Sequence, residues 1–282
     1  MKAGNRPRTI SRRSFMKGTL GAAGTAFLIA GAGGKQVLGA NNRFRIAVCG
    51  VNGQGNGHIG NYAGRDDVEI PYLVDPDTRL LERRVAELQE RVGNRYKVRG
   101  ETDVRRVLDD PEVDAISVAA PNHWHSLMVI WAAQAGKHCY VEKPVSHDVY
   151  EGRVALAAAE KYGVVIQHGT QQRSNPDRAR QIAEIRSGKY GKLLVSHGLA
   201  CKVRGGIGHK EYTDPPEHLD WNLWRGPAAI DRYHDNLVHY NWHWFWPTGN
   251  GDLNNQGTHQ LDVAYWALDK EVVNTHPVRV MC

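Results

Sequence analysis

Cysteine is scarce in this chain. Cys49, Cys139, Cys201 and Cys282 are the four among 282 residues, and none stands in a C-x-x-C pair. That spacing excludes a disulfide-stapled small fold and a zinc knuckle. Cys49 and Cys139 fall in apolar runs, and the four read as reduced core thiols. Long hydrophobic runs are missing too. Residues 18–34 are Gly/Ala-rich with a short Phe27-Leu28-Ile29 peak, below the roughly 20 apolar residues that a membrane span needs. Acidic residues are absent from residues 1–40, which hold seven Lys/Arg. The net charge of +6 belongs to that segment, because the remainder carries 29 basic and 30 acidic residues. In a body so nearly neutral, nothing in the charge balance favours nucleic acid or an anionic membrane. With 41% hydrophobic and 23% charged residues, the chain is globular and long enough for one large or two ordinary domains.

What is present begins with an address. Ser11-Arg12-Arg13-Ser14-Phe15-Met16-Lys17, followed by the weakly apolar stretch, resembles a twin-arginine translocation signal. Gly39 and Ala40 place cleavage before Asn41, although Leu38 at the −3 position departs from A-x-A. Retention as an uncleaved membrane tether is the alternative. The signal implies the twin-arginine export machinery as a partner, a periplasmic or exported destination, and passage in folded form.

Residues 44–49 (Phe-Arg-Ile-Ala-Val-Cys) are an apolar run that ends in Gly50-Val51-Asn52-Gly53-Gln54-Gly55. A helix-like segment, Ile59 to Ala63, follows, and a second apolar run, Val68 to Val74, ends in Asp75. Strand, tight turn, helix, strand and acid are the order of a dinucleotide-binding fold. Gly50 permits the sharp turn, and Gly53 and Gly55 let backbone and helix N-terminus approach a pyrophosphate. Asn52 stands at the usual second glycine and tolerates the positive φ such a turn demands. Asp75, 25 residues after Gly50, can accept both ribose hydroxyls. A carboxylate there repels a 2′-phosphate, which favours NAD over NADP. The alternation continues: helices over Asp77–Val92 and Val104–Leu108, a strand over Asp114–Ala120, a helix capped by Asn122, a strand over His138–Val141, a helix over Tyr150–Tyr162 and a strand over Val164–Ile166. This pattern predicts an α/β fold with a doubly wound parallel sheet.

Two motifs sit at the carboxyl ends of strands, where ligands bind in such sheets. One is Pro121-Asn122-His123-Trp124-His125, and the other is Glu142-Lys143-Pro144. Further on comes Gly251-Asp252-Leu253-Asn254-Asn255-Gln256-Gly257-Thr258-His259. Together they resemble the Gfo/Idh/MocA family of nicotinamide-dependent oxidoreductases, whose members carry a glycine-rich turn, P-N-x-x-H, E-K-P and G-x-L-x-D-x-G-x-H. The resemblance spans residues 44 to about 268. It implies a Rossmann domain, here 41–168, and a C-terminal α+β domain with a mostly antiparallel sheet, here 169–282. It implies tightly bound NAD held by Gly50, Asn52, Gly53, Gln54, Gly55, Asp75, Pro121, Asn122, His125, Glu142 and Lys143. It implies catalysis by Lys143, His259 and Asn255, with His259 taking the hydroxyl proton and Lys143 steadying the oxygen. Asn255 stands where many relatives have Asp, and it is four residues before His259, on one helical face. An amide there adds no charge to hold an imidazolium, which puts the usual relay in doubt.

Six of the eight tryptophans lie between 221 and 266, and Trp242, Trp244 and Trp246 alternate. In an extended stretch they share one side, either stacking on a sugar ring or packing between domains. Residues 192–203 are expected to open a strand of the second domain, and residues 278–281 another. Relatives continue past Cys282, so the chain reads as a piece of a longer protein, homo-oligomeric at full length. Three functions remain open: an exported sugar or polyol oxidoreductase, a glycoside-cleaving enzyme that oxidises transiently, and a non-catalytic sugar- or cofactor-binding module.

Overall fold

The computed structural model describes residues 43–268. The twin-arginine segment, Cys282 and the expected strand at 278–281 lie outside the described residues. Seven parallel strands form one sheet: β1 (Phe44–Cys49), β2 (Val68–Glu69), β3 (Tyr72–Val74), β4 (Arg99–Glu101), β5 (Ala115–Val118), β6 (His138–Glu142) and β7 (Ile166–Gly169). Their order is β4-β3-β1-β5-β6-β7, with β2 also against β1. Pro71, without an N–H, falls in the break between β2 and β3. The order reverses between β1 and β5, the switch point at which open α/β sheets bind ligands.

Five helices cover the sheet: α1 (Gly53–Ala63), α2 (Thr78–Val92), α3 (Val104–Leu108), α4 (Asn122–Gln134) and α5 (Val149–Tyr162). Alternation along β1 splits the core. Ile46 and Val48 pack with α1 and α2, whereas Ala47 and Cys49 pack with α3 and α4. Strands buried on both faces read as continuous apolar runs, which is why their positions were legible. Asp77, Asp103 and Asp148 cap α2, α3 and α5 through side-chain bonds from Leu80, Arg105 and Glu151 amides at 2.9, 3.0 and 2.8 Å. Asn122 is not a cap: Pro121 occupies that position without a side-chain bond, and Asn122 is buried in the first turn. Cys49 and Cys139 are buried free thiols whose burial pushes their pKa up. Cys201 is exposed, against its reading as a core thiol.

The second half contains α6 (Pro176–Arg186), α7 (Trp221–Arg225), a 3₁₀ turn at Asn241–Trp244, a π-helical turn at Leu253–Gly257 and α8 (Thr258–Ala267). The expected strand at 192–203 is absent. Leu194, Val195, Leu199 and Val203 are exposed there, because no ladder partner lies beside them among the described residues. Antiparallel pairing outside the named strands is confined to the bridges Asp77↔Leu219 and Thr213↔Tyr233. The tryptophan run is not extended either. The 3₁₀ turn buries Trp242 while Trp246 is exposed, so the indoles do not share a side.

Leu219, Trp224, Tyr233, Leu237 and Trp242 form the small core of this half, with Trp221 packed against it. It docks on α4 through buried groups. Trp124 Nε1 donates to the Trp224 carbonyl at 2.9 Å, and His123 Nε2 lies 3.0 Å from the same oxygen. Trp124→Ala should therefore lower the unfolding free energy by about 3–5 kcal/mol. It should also speed proteolysis between residues 187 and 220. Urea titration with timed protease digestion measures both, and an unchanged midpoint with unchanged cleavage would reject this docking role.

Candidate active site

The β1–α1 turn is built by close backbone approach. Gly50 has φ 79°, and a Cβ there would lie 2.7 Å from the Ala119 carbonyl. A Cβ on Gly55 would lie 1.6 Å from the Gly50 oxygen. Gly53 differs, since nothing lies within 4 Å of where its Cβ would stand. Asn52 stands at the N-cap position of α1 with φ −84°, so no positive φ is required of it, but its side chain makes no capping bond and leaves the helix end uncapped. The first turn of α1 also lacks acidic residues. Its N–H groups and the positive end of the helix are thus unspent, as an anion such as a pyrophosphate requires.

This turn borders a cleft of about 410 Å³. All the anticipated site residues line it except Gly55, which supports the turn from beneath. Asp75 is buried; Oδ2 accepts from the Val51 amide and Oδ1 from the Asp77 amide, each at 3.0 Å. Each oxygen keeps a lone pair for a ribose hydroxyl. Burial raises this carboxyl against the pull of those amides and His239. These features fit a dinucleotide: a glycine cradle, an uncapped helix end and an acid beside it.

His125 is fully buried, with Nε2 2.8 Å from the Ala120 carbonyl and Nδ1 2.5 Å from that of Pro144. Its ring nitrogens bolt the P-N-x-x-H and E-K-P turns together rather than reaching outward. Burial depresses its pKa, as it does for His123, which falls to about 4.

At the substrate side, Lys143 Nζ donates to the Asn255 carbonyl at 2.5 Å and to Asn255 Oδ1 at 3.2 Å. The π turn presents that carbonyl, where sequence spacing predicted a continuous α-helix. Such turns insert one residue and often mark functional positions. His259 borders the same cleft from the first turns of α8, and its buried Nδ1 has no partner. Burial lowers the Lys143 pKa, opposed by Glu142 and reinforced by Lys202. Burial and then Lys143 lower that of His259. Sequence reasoning missed His58 and Gln171, which reach Glu142, and His239, whose Nε2 lies 2.9 Å from Asp77 Oδ2. For His58 the available signal was its position four after Gln54.

Residues 44–170 match the family described as "Oxidoreductase family, NAD-binding Rossmann fold", and residues 198–282 match its "C-terminal alpha/beta domain". The chain belongs to the Gfo/Idh/MocA oxidoreductase family. A levoglucosan dehydrogenase of Pseudarthrobacter phenanthrenivorans is 25% identical over 224 residues, covering 79% of this chain and 50% of that protein. "Glycosyl hydrolase family 109 protein 2" of Shewanella sp. (strain ANA-3) is 28% identical over 214 residues, covering 68% and 46%. A solved levoglucosan dehydrogenase, complexed with NADH and levoglucosan, matches with TM-score 0.57 and 22% identity over 80% of this chain and 54% of that one, a likeness of fold. The chain spans about half the length of these curated relatives. Its N-terminal half is thus an NAD-binding Rossmann domain of this Gfo/Idh/MocA type.

Within that domain Asp75 is the buried acid beside the glycine turn, where a ribose acceptor is expected. Asp75→Ala should weaken NAD binding more than NADP binding, measured by fluorescence titration of both. The opposite order would reject the assignment.

Proposed function

We propose that this Gfo/Idh/MocA chain belongs to an exported oxidoreductase that oxidises a sugar or polyol hydroxyl with tightly bound NAD. The observation that carries the reading is the convergence of Lys143, Asn255 and His259 on the cleft that the glycine turn also lines. Bound NAD supplies the hydride acceptor. The protein's residues do the proton work. His259, kept neutral by burial and the nearby ammonium, accepts the hydroxyl proton. Lys143 donates a hydrogen bond to the substrate oxygen and steadies its developing negative charge. Asn255 aims Lys143 through two acceptors. Tyr240, Trp242 and Trp224 border the cleft, and flat aromatic faces suit the C–H faces of a ring. The names levoglucosan dehydrogenase and scyllo-inositol 2-dehydrogenase among the relatives support the substrate class. Export in folded form, read from the twin-arginine segment, requires that the cofactor be loaded first and stay bound.

A glycoside-cleaving cycle is the second reading, favoured by the neutral Asn255 and by the relatives named for glycosyl hydrolase family 109. Products separate the two: a ketone with NADH, or a free sugar with NAD unchanged. A binding module would yield neither.

With a sugar and glycoside panel, Lys143→Ala should retain NAD binding while turnover falls at least about 100-fold. Undiminished turnover would reject the lysine's role. The pH profile tests the pair. A base must be neutral, so kcat/KM should fall as pH drops through the His259 value, which lies below the ordinary 6.5. It should fall again as pH rises through the Lys143 value, below the ordinary 10.5. An acid limb above 6.5 would exclude His259 as the base.

A further inference from the structure

Glu142 is a buried carboxylate with donors on every side. Oε1 accepts from Gln54 Nε2 at 3.1 Å, His58 Nε2 at 3.0 Å and Gln171 Nε2 at 2.5 Å, and Oε2 accepts from the Lys143 amide at 3.2 Å. The chain of polar groups continues away from the cleft. His58 Nδ1 lies 2.9 Å from Ser117 Oγ, which lies 3.2 Å from the Tyr62 hydroxyl. Ser117 is fully buried in β5 between Ile116 and Val118, and His58 is 5% exposed. Polar groups in a core of Ile, Val and Leu are costly, and apolar side chains would pack in their place. The arrangement therefore has its use at the end that meets the cleft.

An ionised carboxylate only accepts, so His58 Nε2 carries a proton and donates it to Glu142. Ser117 holds the other nitrogen and fixes the ring. Burial alone would push the Glu142 carboxyl up, but the His58 and Gln171 bonds outweigh it and leave it below its usual range. Lys143 follows in the chain, with its ammonium half-buried. Lys202, His243, His259, His125, His168, Tyr62 and Tyr140 are the other titratable groups facing the pair; the lysine and histidines are cationic or neutral, and burial and the Glu142 charge keep the two phenols protonated. Asp252 and Asp262 are taken by Arg204 and Arg173. Glu142 is the anion that steadies Lys143.

We propose that His58 is a positioning residue for Lys143: from α1 it holds the Glu142 carboxylate ionised and in place beside the Lys143 turn, and that fixed negative charge keeps the half-buried ammonium charged in the cleft. The consequence for turnover rests on the oxidoreductase reading. The proton affinity of Lys143 does not, and it can be read without cofactor or substrate.

The test is competitive acetylation of the full chain across pH, with Lys143 followed by peptide mass spectrometry. In His58→Leu the midpoint for Lys143 should fall by about one pH unit, a tenfold rise in free amine at fixed pH. His58→Gln, which keeps a side-chain N–H toward Glu142, should stay close to wild type. An unmoved midpoint in His58→Leu overturns the proposal. So does an equal fall in His58→Gln, which would mark a packing effect. Should His58→Leu not fold, Ser117→Ala should give a smaller fall in the same direction, and no fall there overturns the proposal as well. A shifted midpoint in a protein whose wild type turns over no sugar would sink the oxidoreductase reading and leave this one standing.

Discussion

No side chain fits between the Gly50 carbonyl and residue 55. That contact brings the end of β1 and the start of α1 together at the point where strand order reverses, and the rest of the site follows from it. The uncapped N-terminus of α1 is held over the sheet crest, and Gly53 opens to the cleft. α1 in turn carries Gln54 and His58, four apart on one face, to the Glu142 carboxylate at the end of β6. A turn built from backbone contact thus positions both the helix N-terminus without a side-chain cap and the acid next to Lys143.

The cleft is completed from the far half of the chain by specific hydrogen bonds. His123 and Trp124 share the Trp224 carbonyl, Thr78 donates its amide to the His218 carbonyl at 2.8 Å, and His239 grips Asp77. Asp77 also caps α2, so one buried carboxylate ties the turn after Asp75 to the segment that roofs it. The Asp77 amide also donates to Asp75 Oδ1, so the buried acid of the cleft and the docking of the second half meet in one turn.

The central strands of the parallel sheet were legible because they are buried on both faces, so apolar runs bounded by Gly50, Asp75, Pro121 and Gly136 mark them without alternation, whereas the exposed edge strand β4 carries no such run and was missed. The motifs located the cleft for a related reason: strand ends in this topology face one edge, and Asp75, Asn122 and Lys143 all stand there. Sequence failed where pairing or local hydrogen bonds decide. Residues 192–203 have strand-like composition but no neighbour to pair with among the described residues. Trp242–Trp246 alternate in sequence yet follow a 3₁₀ turn. Asn255 and His259 share a helical spacing that the π turn alters while keeping both in the cleft. His58 and Ser117 carry no composition signal, since one polar residue on a helix or strand is common and only their contact reveals a network.

The amide at position 255 changes the electrostatics of the site more than its geometry. Asn255 reaches Lys143 with two neutral acceptors, and these orient the ammonium without paying for its burial. An aspartate in that place would hold the proton on Lys143 and on the neighbouring imidazole alike. Without it, the counter-charge comes from the other side, from Glu142, which is itself anchored in the Rossmann core. Glu142 acts on His259 as well, but Lys143 and burial outweigh it there, and the imidazole stays neutral. With an amide at 255, the negative charge that acts on Lys143 comes from Glu142 in the N-terminal half, whereas on His259 burial and Lys143 prevail over that same charge.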